Sequence, residues 1–172
     1  MRWDKLAAMD FSRLNMRRTV VGSVGSLLLL VSILLLPWFT LTDVPERADQ
    51  GAWLCGAGEF SCGGFETFPI MRWLLIGAAL APGILAWIIV RGHKLTWPPG
   101  EMTMVVGFTA FVLILYNGII DKPAPSEGIE FGESLDYGYW IALLSAALIA
   151  ATGFFRSAEE RGPVQRKAPG TV

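Results

Sequence analysis

The chain is expected to be an all-α membrane protein, a four-transmembrane-helix bundle with a small, disulfide-pinned extracytoplasmic cap that includes short β-strands. Composition is the first reason. Of 172 residues, 53% are hydrophobic and only 17% charged, against about 25% charged in a soluble domain. The second is that the apolar residues gather into four windows, Val20–Phe39, Trp73–Val90, Met102–Ile120 and Gly138–Phe155, none containing Asp, Glu, Lys, Arg or His. At about 1.5 Å per residue each reaches roughly 27–30 Å as a helix, the thickness of a hydrocarbon core. The third is the way basic residues fall on alternate flanks of those windows.

Residues 1–19 precede the first window. Trp3, Ala7, Phe11 and Leu14 recur at helical spacing, with Arg2, Lys5, Arg13, Arg17 and Arg18 nearby. This is the pattern of an interfacial amphipathic helix that meets anionic lipid. The first span, 20–39, is too long for a signal-peptide core, and Leu36-Pro37-Trp38-Phe39 makes a poor cleavage site. It is therefore read as a retained helix. The second span, 73–90, carries Pro82-Gly83 near its middle, where a proline removes a helical donor and is expected to kink the helix. The third, 102–120, ends at Asn117-Gly118, which is expected to fray or cap it, and the fourth covers 138–155.

Segments 1–19, 91–101 and 156–172 hold eleven of the fourteen basic residues and five acids; segments 40–72 and 121–137 hold Arg47, Arg72 and Lys122 with ten acids. The positive-inside rule places the basic segments, and so both termini, in the cytoplasm. The net charge of −1 is then the cancellation of a +6 face and a −7 face. Trp38, Trp73 and Trp140, with Tyr116, Tyr137 and Tyr139, stand at the outer ends of spans and are expected to anchor at headgroup level.

Polar residues within the windows are small: Ser23, Ser26, Ser32, Thr103, Thr109, Asn117, Ser145 and Thr152. Gly22/Ser26, Gly77/Ala81, Ala142/Ala146 and Ala146/Ala150 lie four apart, a spacing that lets helix backbones approach. Ionisable residues, the usual mark of transport or proton relay within a membrane, do not occur in the windows.

The first outer loop holds both cysteines. Cys55 and Cys62 are separated by six residues, two of them glycine, and on an oxidising face a structural disulfide is expected. A bond closing so short a loop is worth roughly 2–3 kcal/mol in the chain-entropy account. Two cysteines with a lone His93 on the other face do not make a zinc site, so no metal or cofactor is implied. In the second loop Ile129, Phe131, Leu135 and Tyr137 alternate with acids and Gly132. A strand is expected there, paired with the Cys55–Cys62 region to form a small sheet over the bundle. Asp43-Val-Pro45 and Asp121-Lys-Pro123 both follow spans, as helix-ending signals.

Trp38 and Trp53-Leu54-Cys55 in a disulfide-closed first loop resemble the claudin-like architecture in shape. The Gly-Leu-Trp of claudins is missing and the cysteine spacing is shorter. A resemblance over nearly the whole chain rests on Leu36-Pro-Trp-Phe, Cys-Gly-Ala-Gly-Glu-Phe-Ser-Cys62, Phe-Glu-Thr-Phe-Pro69, Tyr116-Asn-Gly-Ile-Ile-Asp-Lys-Pro123 and Arg166-Lys-Ala-Pro-Gly170. These strings look like small four-helix membrane proteins of actinobacteria. The resemblance implies a habitat in the bacterial plasma membrane and a topology, without an activity.

The expected function is non-enzymatic: an accessory, scaffold or interaction subunit whose acidic, aromatic outer cap (Trp53, Glu59, Phe60, Phe65, Glu66 and Phe68) meets a membrane or envelope protein. Two further readings stand beside it. One is a lipid- or small-molecule-handling protein using the Pro82-Gly83 kink and a pocket between the helices. The other is a membrane thiol oxidoreductase working through Cys55 and Cys62. A phosphate-binding glycine loop and a serine-hydrolase motif are missing from the chain, and its charge balance gives no basis for nucleic-acid binding.

Overall fold

The computed structural model describes residues 16–42, 61–91, 96–122 and 132–160. The first helix, α1 (Met16–Leu35), runs through the Leu- and Val-rich segment and ends just before Pro37. Its last turn closes with the Leu36 amide donating to the Ser32 carbonyl at 3.3 Å. Proline disfavours helical backbone in the residue before it and has no N–H to extend the ladder, so the chain leaves in extended form as β1 (Pro37–Thr42). This corrects the expected span Val20–Phe39. Its outer four residues are linker and strand, not helix.

After the undescribed first loop come β2 (Ser61–Gly63), a single helical turn α2 (Gly64–Thr67) and α3 (Met71–Val90), which remains one helix through Pro82. Next are α4 (Pro99–Leu115) and a five-residue π turn, Tyr116–Ile120. The Asn117 amide donates to the Leu113 carbonyl at 2.9 Å, and the Asp121 N–H donates to the Tyr116 carbonyl at 2.8 Å. Asn117 thus serves a widened last turn. The chain then forms β3 (Gly132–Leu135) and α5 (Tyr137–Glu160).

The strands make a three-stranded antiparallel sheet in the order β2-β1-β3. Phe39 lies opposite Cys62 on one side and Leu135 on the other. The expected pairing of β3 with the Cys62 region is therefore corrected: β1 lies between them. It was hidden because its residues completed an apolar window long enough to be read as helix. The register shifts between Pro37 and Phe39, where a bulge redirects side chains, and Trp38 and Phe39 are both fully buried.

The helices form a ring in which α1 packs on α3 and α5, while α4 packs on α5 and α3. The sheet caps one end, continuous with the close of α1 and the start of α5. Consequently α1 begins and α5 finishes at the opposite end. Three helices are long and apolar enough to cross a membrane: Met71–Val90, Pro99–Ile120 and Tyr137–Glu159. The apolar part of α1, Thr19–Leu35, is shorter. The ring's outer surface carries exposed Leu27, Leu80, Ile84, Phe108 and Leu144, an apolar exterior suited to lipid and not to water.

Close packing is concentrated between α4 and α5. A Cβ on Gly100 would lie 2.6 Å from the Ser157 nitrogen, one on Gly107 2.8 Å from the Ala150 Cα, and one on Gly153 2.7 Å from the Met104 Cα. These backbones touch at three successive levels. Ala142 and Ala146 are also buried, and a Cβ at Gly22 would sit 3.4 Å from the Thr152 hydroxyl. Gly77 differs, since a Cβ there meets nothing within 4 Å. Its four-residue spacing to Ala81 does not mark a contact. Most intrahelical hydroxyls bond back to their own helix, as Ser26, Thr103, Ser145 and Thr152 do. Ser32 instead reaches across from α1 to the Gly138 carbonyl on α5 at 2.6 Å.

Candidate functional site

The cap is seated on a closed aromatic cluster. Trp38 meets Phe68 at 6.2 Å and Tyr139 at 6.0 Å edge to face, and Phe39 meets Phe68 at 6.0 Å. Trp38 donates through Nε1 to the Ser32 carbonyl and hydroxyl at 3.0 and 3.1 Å. The Tyr139 hydroxyl donates to the Ile114 carbonyl at 3.3 Å. Each polar handle is thus used inside the protein. Gly64 lies so flat on the Trp38 ring that a Cβ would fall 2.5 Å from Cε2. Trp38 and Tyr139 are wholly buried, which corrects their expected place in a headgroup belt. Trp73 and Trp140, at 61% and 49% exposure, keep positions that an anchoring role requires.

The residues expected to form an interaction surface separate into three groups. Trp53, Glu59 and Phe60, with Cys55, lie outside the described residues. Phe68 is buried in the aromatic cluster, so it offers nothing to a partner. Phe65 is half-buried, and Glu66 is exposed. Phe65 faces Trp73 at 6.0 Å and carries the Arg72 guanidinium over its ring at 4.5 Å. Arg72 was counted from sequence only as one of three cap-side cations. Its partner Phe65 lies seven residues away across a chain reversal, a proximity that no periodic pattern marks. Cys62 is fully buried on β2.

At the other end of the ring, Thr19, Ser23, Pro82, Thr103, Thr152 and Arg156 help line a pocket of about 40 Å³ drawn from all four long helices. It has room for water and not for an organic ligand. Gly83, the other half of the expected kink, faces open space. A second hollow, about 400 Å³ and almost wholly apolar, runs along the outer surface between α4 and α5, walled by Phe108, Phe154 and Phe155. Among the described residues no three His, Cys, Asp or Glu side chains converge as metal ligands. No protein family, characterised protein or solved structure matches this chain.

Proposed function

We propose that this chain is a non-enzymatic accessory or interaction subunit of a bacterial plasma membrane. In this reading all four long helices span the bilayer, both termini are cytoplasmic and the outer cap engages a membrane or envelope protein. The observation that carries it is the mechanical continuity of the cap. The central strand β1 grows directly from α1, β3 feeds α5, and the shared aromatic cluster locks the sheet to the bundle ends. Among the described residues, the sheet and its aromatic floor thus offer a partner a preformed face. As a 20-residue helix, α1 is about 30 Å long, and its exposed Leu27, Leu28, Leu34 and Leu35 suit lipid. The basic ends opposite the cap suit anionic lipid in the inner leaflet.

Glu66 is the exposed acid of the candidate interaction surface among the described residues. Affinity purification of the full chain in mild detergent is expected to bring down a stoichiometric partner. Glu66→Lys should weaken that capture by about tenfold or more if the acid faces a basic partner surface. A lone monomer without any specific companion would defeat the reading.

The Cys55–Cys62 bond belongs to the same proposal. Alkylation without reduction should leave both thiols unmodified in the intact mass, and the Cys55→Ser/Cys62→Ser double variant should lose about 2–3 kcal/mol of stability. Modification of both native thiols would refute the closed cap. The burial of Cys62 favours a structural bond over a redox one, because thiol exchange needs an accessible sulfur. The pocket beside Pro82 is likewise too small for an organic ligand.

A further inference from the structure

At the cap end of α3, a cation is held between two aromatic rings, with no acidic partner among the described residues. The Arg72 guanidinium lies 4.5 Å from the Phe65 ring centroid and 5.6 Å from that of Trp73. Its Nη1 donates to the Phe65 carbonyl at 3.2 Å. Its Nε is buried without a hydrogen-bond partner, and among the described residues it is the one buried side-chain nitrogen or oxygen in that condition. No ion pair joins it to any described carboxylate. Removing a guanidinium from water on its ring faces and at Nε is costly unless an anion compensates.

The place of Arg72 along the helix identifies the anion. At 20 residues α3 is about 30 Å long, matching a hydrocarbon core, and Arg72 is its second residue. That puts the guanidinium where lipid phosphates lie. Trp73 and Ile70 beside it are 61% and 79% exposed, the side chains of a membrane interface. The helix amides do not form this site, because those of Arg72 and Trp73 are already bonded to the Phe68 and Ile70 carbonyls. Arg91 at the other end lies 4.4 Å over Trp87 and is exposed, an ordinary snorkelling cation.

We propose that Arg72, clamped by Phe65 and Trp73, binds the phosphate oxyanion of a phospholipid headgroup at the cap end of the bundle. The clamp holds the plane of the guanidinium, and the Nη hydrogens beyond the one given to the Phe65 carbonyl are the donors proposed to meet phosphate oxygens, a planar set that lysine cannot reproduce. The site requires only that α3 crosses the bilayer, whichever side the cap faces. It therefore stands or falls independently of the partner-docking proposal.

Native mass spectrometry of the full chain, released from detergent with phosphatidylglycerol added, tests it. The wild type should retain a phosphatidylglycerol molecule through delipidating washes. Arg72→Gln should lower that occupancy by about tenfold, and Arg72→Lys, which keeps the charge and is the safer variant for folding, by about threefold. Lys122→Gln, which removes an exposed cap-side cation outside the clamp, should retain lipid as the wild type does. Inorganic phosphate at millimolar concentration should not displace the lipid; displacement would show a site for a free anion and overturn the lipid assignment. Equal retention by wild type and both Arg72 variants would overturn the site itself.

Discussion

Gly107→Ala is expected to destabilise the bundle by about 1–3 kcal/mol, the range for overpacking a tight interior, and Gly107→Leu to prevent recovery of a monodisperse protein. A Cβ at this position would sit 2.8 Å from the Ala150 Cα and 2.9 Å from the Ile149 carbonyl carbon, with the Ala150 nitrogen nearer still. Carbon atoms in contact prefer about 3.5–4.0 Å. The obstruction is backbone, so no rotamer change relieves it and α4 must move away from α5. Ala150→Gly should therefore fail to rescue Gly107→Ala. In Gly77→Ala the same added methyl meets nothing within 4 Å. That variant should be neutral or gain about 0.5–1 kcal/mol through helix propensity. Thermal unfolding in detergent with a size-exclusion readout checks the set. Equal behaviour of Gly107→Ala and Gly77→Ala would show that the α4–α5 seam is looser than described.

The same contrast explains why helix packing was less legible in the sequence than the helices themselves. An uninterrupted apolar window announces a span, and α3, α4 and α5 lie where such windows do. Small residues four apart announce contact only if they share the face turned to a neighbour. Gly77/Ala81 has the spacing without the face, whereas Thr103/Gly107 and Gly153/Ser157 have both. The seven-residue step from Gly100 to Gly107, two helical turns, marks the same face.

At the cap, apolarity misled in the other direction. Leu36-Pro37-Trp38-Phe39 is apolar enough to extend a span, and only Pro37 argues that the helix must stop. The central strand was therefore concealed inside a helical window, and the β3 alternation was matched to the wrong neighbour. Within the candidate surface, Phe68 is corrected for a related reason. Phe65 and Phe68 differ by three residues, yet the sheet needs one as its floor while Arg72 covers the other. Residue type alone does not distinguish an aromatic that binds a partner from one that closes a core.

Trp38→Ala tests that distinction where the stakes are greatest. An indole anchored at the headgroup layer keeps much of its environment after truncation of a neighbour, and its own loss is modest. A wholly buried indole leaves a void, and Trp→Ala in a core costs about 3–5 kcal/mol. Here the void would open between α1, α2, β1 and α5, because Phe68, Tyr139 and Gly64 pack directly on the ring. The substitution also removes the Nε1 donor to Ser32, whose hydroxyl bonds Gly138 across the helix interface. Trp38→Phe restores most of the volume and forfeits that hydrogen bond, for a loss of about 1–2 kcal/mol. Trp140→Ala, at 49% exposure, should lie below both. Chemical or thermal unfolding should then rank the variants with Trp38→Ala least stable, Trp38→Phe intermediate and Trp140→Ala nearest wild type. If Trp38→Ala instead matches Trp140→Ala, the indole is an interfacial anchor after all. The sheet would then lose the aromatic floor that joins it to the bundle, and with it the preformed face on which the docking proposal depends.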